Sequence, residues 1–200
     1  MDSAIISATI LGIAYVVAAL IRRGSLDWLW RKGAVVVWTS RFDSYPKLKK
    51  AVEKTKRQSK IIAHDSLWLG QHPLQMALKN ALERGVEVEL ILADPTSAIY
   101  EYRYRLIHGL PSGAISREEP AWIREWEHDH KKTFRLIYTE HLFSGPFVLV
   151  DDVLHLGIFS PKAESDRLPA FQISTHTKTG EVLRKNIERW KNSLLESDAD

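Results

Sequence analysis

Residues 4–21, AIISATILGIAYVVAALI, contain no charged side chain, and this restricts what the chain can fold into more than any other feature. As a helix rising 1.5 Å per residue the run is about 27 Å long, close to the roughly 30 Å hydrocarbon core of a bilayer. A signal peptide would carry a positive n-region before such a run and a small-x-small site after it. Here Asp2 is the one charged side chain before the run, and Leu20, Ile21, Arg22 and Arg23 close it. A buried core helix would show a polar stripe, and here Ser7, Thr9 and Tyr15 alone interrupt the apolar surface. The run therefore predicts one N-terminal transmembrane helix.

The flanks orient it. Arg22, Arg23, Arg31 and Lys32 follow the run and no Lys or Arg precedes it. The positive-inside rule then places the C-terminal side in the cytoplasm, giving a single-pass protein of the inner membrane with membrane lipid as a partner. Trp28 and Trp30 in the same stretch suit the headgroup level, and suit packing on the following domain equally. Ala4, Ala8 and Gly12 form a small-xxx-small face that lets two such helices approach. The expected organisation is an anchor at 1–23, a linker at 24–33, one domain at 34–195 and an acidic tail at 196–200.

Composition narrows the domain. Of the 200 residues, 44% are hydrophobic and 26% charged, which excludes disorder and collagen-like repeats. A mean hydropathy of −0.22 excludes a multi-span protein. The absence of cysteine excludes a disulfide scaffold, a thiol nucleophile, Cys-ligated zinc and iron–sulfur clusters. A net charge of +3 is too small to mark a nucleic-acid protein by itself, so the placement of charge matters more than its sum.

From Ala34 the pattern alternates strand and helix. AVVVWTS (34–40) is a β-branched run, Pro46 is expected to open a helix reaching about Gln58, and KIIAHDS (60–66) is a second strand. Pro73 opens a helix with Leu74, Ala77, Leu78, Ala81 and Leu82 on one face, and Gly85 is its C-cap before a third strand closed by Pro95. Residues 96–109 and 118–132 read as helices around a Gly/Pro/Ser loop. Strands follow near 135–140, 147–152, 154–159 and 170–176. A last helix at 179–195 aligns Leu183, Ile187, Trp190 and Leu194. This order predicts an α/β sandwich about a central sheet. No Gly-rich phosphate loop is present, so dinucleotide binding of the Rossmann type is not supported.

Two segments, PLQMALKNALERGVEVELILADP (73–95) and SGPFVLVDDVLHLGIFSPKAES (144–165), together resemble the phospholipase D-like family. Arg84, Gly85 and Val86 match its helix-to-strand turn, and the second segment has its succession of apolar strand, Asp, turn, short strand and Gly. The closing helix with Trp190 also fits, so the likeness spans most of 34–195. The resemblance implies a phospholipase D-like sandwich with a central mixed sheet. It also implies pairing of two domain copies, hence a homodimer or higher homo-oligomer with Asp151 near the dyad. The family signature is His-x-Lys-x4-Asp with a downstream Gly-Ser-x-Asn. Asp151 fits the Asp position, but Ser144 stands at the histidine, Pro146 at the lysine, Ile158 at the serine and Ser160 at the asparagine; Gly157 is kept. The chemistry needs an imidazole to attack phosphorus and a lysine to hold phosphate oxygens. Serine and proline do neither, so the domain is expected to be degenerate.

Candidate site residues follow from position. His64 and Asp65 end the second strand and His176 and Lys178 follow the last, so with Asp151 they are expected to line one ligand pocket. His155, facing away from Leu154 and Leu156, and His141 are the fallback imidazoles beside Asp151. Alternatively each of these histidines is a surface or hydrogen-bonded residue without chemistry. His128 and His130 point in different directions on a helix, and neither a metal nor a cofactor is called for. PKLKKAVEKTKRQSK (46–60) carries seven basic residues and one acidic one. Lys47, Lys49, Lys50, Lys54, Lys56 and Arg57 give a helix face that suits anionic headgroups or nucleic acid, or a plain solvated face. YEYRYR (100–105) interleaves tyrosine and arginine, which suits base stacking or packing, and Trp122 and Trp126 form an i, i+4 pair expected to be buried. The leading expectation is a sensor, effector or assembly module that binds a phosphate-containing ligand (nucleotide, nucleic acid or lipid headgroup) without catalysis. The alternative is a membrane-bound phosphodiesterase, phospholipase or nuclease, with displaced catalytic groups.

Overall fold

Seven strands form one sheet in the order β1-β7-β6-β5-β2-β3-β4. They are β1 (Val35–Trp38), β2 (Lys60–His64), β3 (Glu87–Ala93), β4 (Phe134–Thr139), β5 (Phe147–Val150), β6 (Val153–Gly157) and β7 (Ala170–Ser174). The helices are α1 (Arg41–Lys54), α2 (His72–Glu83), α3 (Ala121–Asp129) and α4 (Lys178–Ser197). The computed structural model describes residues 35–38, 40–56, 59–64, 72–98, 100–101, 120–140, 145–157 and 169–197. Among the described residues no helix is long and apolar enough to cross a membrane. The run at 4–21, the linker, His141, Ser144, Asp65, Arg57, Ile158, Ser160 and most of 96–119 lie outside the described residues.

β2, β3 and β4 are parallel, and the remaining neighbours are antiparallel. The sheet is therefore mixed, as expected. Side-chain alternation divides it into two faces. Ile61, Ala63, Val88, Leu90, Val148 and Val150 pack under α1, α2 and α3 through Leu48, Val52, Leu78, Ile123 and Trp126. Ile62, Ile91, Phe147, Leu149, Leu154 and Ile173 pack under α4 through Ile187, Trp190 and Leu194. β3 lies between two parallel partners and is buried on both faces, which is why VELILA carries apolar side chains almost without alternation. The exception is Glu89, discussed below. Trp126 is buried as expected and meets Trp122 edge to face at 4.6 Å, but Trp122 is only partly buried, packing on the rim of the core.

Gly85 caps α2 as predicted. Its φ is 82°, its N–H donates to Leu82 and the N–H of Val86 donates back to Ala81, the two bonds of a Schellman cap. The start of α1 differs from expectation. The helix opens at Arg41, not Pro46, because Ser40 is extended (φ −138°, ψ 155°) and its hydroxyl accepts the Asp43 N–H. The same hydroxyl donates to the Asp43 carboxylate at 2.8 Å, a local cap stronger than the proline signal. Pro46 lies in the second turn, where it removes one internal hydrogen bond. The helix also stops at Lys54, where the Thr55 hydroxyl turns back to the Ala51 carbonyl at 2.9 Å. The strand expected at 147–152 ends at Val150, because Asp151 and Asp152 form a two-residue hairpin turn with Asp151 at φ 50°.

Candidate functional site

The register decides which candidate residues meet. β5 is antiparallel to β2, with Phe147 opposite His64 and Val150 opposite Ile61. Asp151 follows Val150, so it lies at the sheet edge where β2 begins, while His64 lies where β2 ends. Four residues of strand, roughly 13 Å, separate the two levels. The structure thus does not bring His64 together with Asp151, and the one pocket expected around both is split between opposite edges.

At the first edge, His64 is 1% exposed. Its ring stacks on Phe147 at 5.5 Å and meets Trp190 edge-on at 5.6 Å. It is a core histidine under α4. Beside it Pro146 is buried, and its carbonyl accepts the Gly157 N–H at 2.8 Å. Pro146 is thus tied to the sheet through its backbone.

His155 points to the other face, opposite Val148 and Gln172. It is 3% exposed, and its Nε2 has no hydrogen-bond partner among the described residues. Desolvation by burial pulls the imidazole from 6.5 down to about 4, so it is neutral at ordinary pH. In that window the unfolded chain binds a proton that the folded chain does not. Stability is therefore complete above pH 6.5 and falls by about 3 kcal/mol as pH drops towards 4. His155→Leu is expected to flatten this acid limb in denaturant unfolding across pH. An unchanged limb in the variant would contradict the assignment.

At the second edge, several candidates do converge. The Thr175 N–H donates to the Asp152 carbonyl at 2.8 Å, and the Asp152 carboxylate lies 3.3 Å from His176 Nε2. His176 and Lys178 are exposed beside it. A cleft of about 530 Å³ opens here between the end of α1, the start of β2, the β5–β6 turn and α4. Its cations are Lys54, Lys56, Lys60 and Arg184, and its carboxylates are Asp151, Asp152 and Glu188. Lys60 is partnered by Glu89 at 2.8 Å. Lys54, Lys56 and Arg184 make no ion pair among the described residues, and Arg184 Nε is out of contact with water with no acceptor there. Elsewhere on α1, Lys47 and Lys50 are exposed and Lys49 pairs with Glu53 at 3.3 Å. Arg184 and Glu188 escaped the sequence reading. Their i, i+4 spacing on α4 looks like an ordinary surface pair until the helix is laid across the sheet. Among the described residues no group of three or more His, Asp or Glu side chains is placed to hold a metal ion.

No protein-family model and no curated protein matches the chain. Solved structures do. The archaeal chromatin protein TrmBL2, described as showing a novel mode of DNA binding, aligns at TM-score 0.52 and 14% identity over 91% of this chain and 64% of its own. The phosphatidylserine synthase of Haemophilus influenzae Rd KW20 aligns at 0.49 and 14%, over 79% of this chain and 37% of its own. Nuc of Salmonella typhimurium, a phospholipase D family member, aligns at 0.45 and 18%, over 78% of this chain and 93% of its own. The chain thus spans less than two thirds of the length of the first two. At 14% identity the likeness to TrmBL2 is one of fold alone, the fold being here a mixed α/β sandwich about a central mixed sheet.

Proposed function

We propose that this chain is a membrane-anchored module whose degenerate phospholipase D-like domain recognises a phosphate-bearing partner without cleaving it. The observation that carries the reading is Pro146. A buried proline, with its carbonyl engaged by Gly157, stands where the chemistry needs a lysine ammonium. Proline has neither a cation nor an N–H to offer phosphate. The histidines of the central strands offer no substitute: His64 is 1% exposed and His155 3%. The cleft at the opposite edge, which sets Lys54, Lys56 and Arg184 beside three carboxylates, supports binding, and the DNA-binding role of TrmBL2 keeps nucleic acid beside nucleotide and lipid headgroup as the phosphate source. The hydrophobic run and its basic flank support anchoring in the inner membrane with the domain in the cytoplasm. The pairing of domain copies in the resembled family supports a homodimer. Such a module acts as a sensor, effector or assembly unit.

The test is turnover. The full chain in detergent micelles is expected to hydrolyse neither a generic phosphodiester nor a phospholipid above the buffer rate, because covalent catalysis without its nucleophile loses many powers of ten. Robust turnover abolished by His155→Ala or His141→Ala would establish the alternative, a phosphodiesterase with displaced groups.

A further inference from the structure

We infer that the cleft between α1, the β5–β6 turn and α4 is a binding site for a small phosphate ester whose other half carries hydroxyl or amino donors. The inference rests on the reading above that the chain recognises phosphate without cleaving it, and it moves the recognition to the edge away from Pro146. Lys54 and Lys56 come from the end of α1 and the residues after it, and Arg184 comes from α4, across the sheet edge. None of the three has an ion pair among the described residues. Guanidinium and ammonium groups are the side chains that hold phosphate best, and Arg184, Lys54 and Lys56 bring three of them to the lining of this cleft.

The acids set the rest of the ligand. Asp151 and Glu188 also line the cleft without an ion pair among the described residues, and they disfavour a ligand that is anionic throughout. They accept hydrogen bonds from hydroxyl or amino groups. The cleft, at about 530 Å³, is far larger than one phosphate needs and falls in the range of small-molecule sites. A phosphate joined to a sugar or to an amino alcohol satisfies both walls.

The test uses the full chain in micelles with three soluble probes: adenosine 5′-monophosphate, phosphoethanolamine and inorganic phosphate. Saturable binding is expected for at least one ester, about tenfold or more tighter than for inorganic phosphate. Arg184→Gln and the exposed-site variant Lys56→Gln should each weaken it by about tenfold, and Lys79→Gln, on the α2 surface, should not. Asp151→Asn with Glu188→Gln should narrow the preference over inorganic phosphate. A second arm uses vesicles with and without phosphatidylethanolamine. Binding confined to the vesicles that carry it, and lost in the same variants, makes the ester a lipid headgroup; binding of the soluble esters makes it a free metabolite. Either result carries the inference. Ester affinity unchanged in both Arg184→Gln and Lys56→Gln, or no saturable binding in either arm, overturns it. Hydrolysis of a phosphodiester by the same preparation would instead overturn the non-catalytic reading and leave the cleft standing.

Discussion

Replacing Glu89 by leucine is expected to cost about 3–5 kcal/mol, while replacing Lys191 by methionine in the same molecule returns most of that loss. Glu89 sits in the middle of β3 on the face covered by α4, and its side chain is 8% exposed. It receives Lys191 of α4 at 3.0 Å and Lys60 of β2 at 2.8 Å. Lys191 is 10% exposed, so losing Glu89 strands an ammonium between helix and sheet. Lys60 is 38% exposed and turns to solvent at little cost, so Lys60→Met alone should change stability by at most about 1 kcal/mol. The asymmetry between single and double variants is the signature, because a buried pair adds little net stability but each half depends on the other. Denaturant unfolding of the four proteins reads it. Equal losses in Glu89→Leu and in the double variant would show that the pair is not what holds this contact together.

Gly180→Ala is expected to lower stability by about 3 kcal/mol, or roughly 6–12 °C in Tm for a chain of this size. A Cβ built on Gly180 would collide with the Ser174 carbonyl oxygen and lie 2.7 Å from its carbon and 2.8 Å from Thr175 Cα. All three are backbone atoms, so no side chain can swing away. The start of α4 must lift instead. That lift breaks the Thr177 cap, whose hydroxyl donates to the Ser174 carbonyl at 2.8 Å and accepts the Gly180 N–H at 3.0 Å. It also displaces Ile187, Trp190 and Leu194 from the core, and Arg184 and Glu188 from the cleft. The variant should therefore lose ligand affinity along with stability. An alanine variant with wild-type Tm would mean that α4 does not approach β7 as closely as this.

The outlines of the fold were legible because each element repeats one signal several times. α2 declared itself by five apolar residues on one face, a proline in its first turn and a glycine at its cap, all of which the structure bears out. The start of α1 is harder to read, because the reciprocal bonds of Ser40 and Asp43, and not the more conspicuous Pro46, decide where the helix begins. The site was less legible because it depends on strand partners. Nothing along the chain says that β5 runs against β2, and that pairing alone puts His64 and Asp151 at opposite edges. Glu89 and Lys191 are 102 residues apart, and Arg184 reads as one more helical arginine until packing brings it beside Lys54 and Lys56.

The most direct measurement of the central claim is a phosphorus-31 NMR titration of the full chain in micelles with a soluble phosphodiester probe, followed to long incubation. A module that binds phosphate without cleaving it predicts a saturable shift or broadening of the probe resonance, weakened by Arg184→Gln, with no product resonance appearing. A growing phosphomonoester resonance, at a rate proportional to protein and lost on His155→Ala or His141→Ala, would contradict the account.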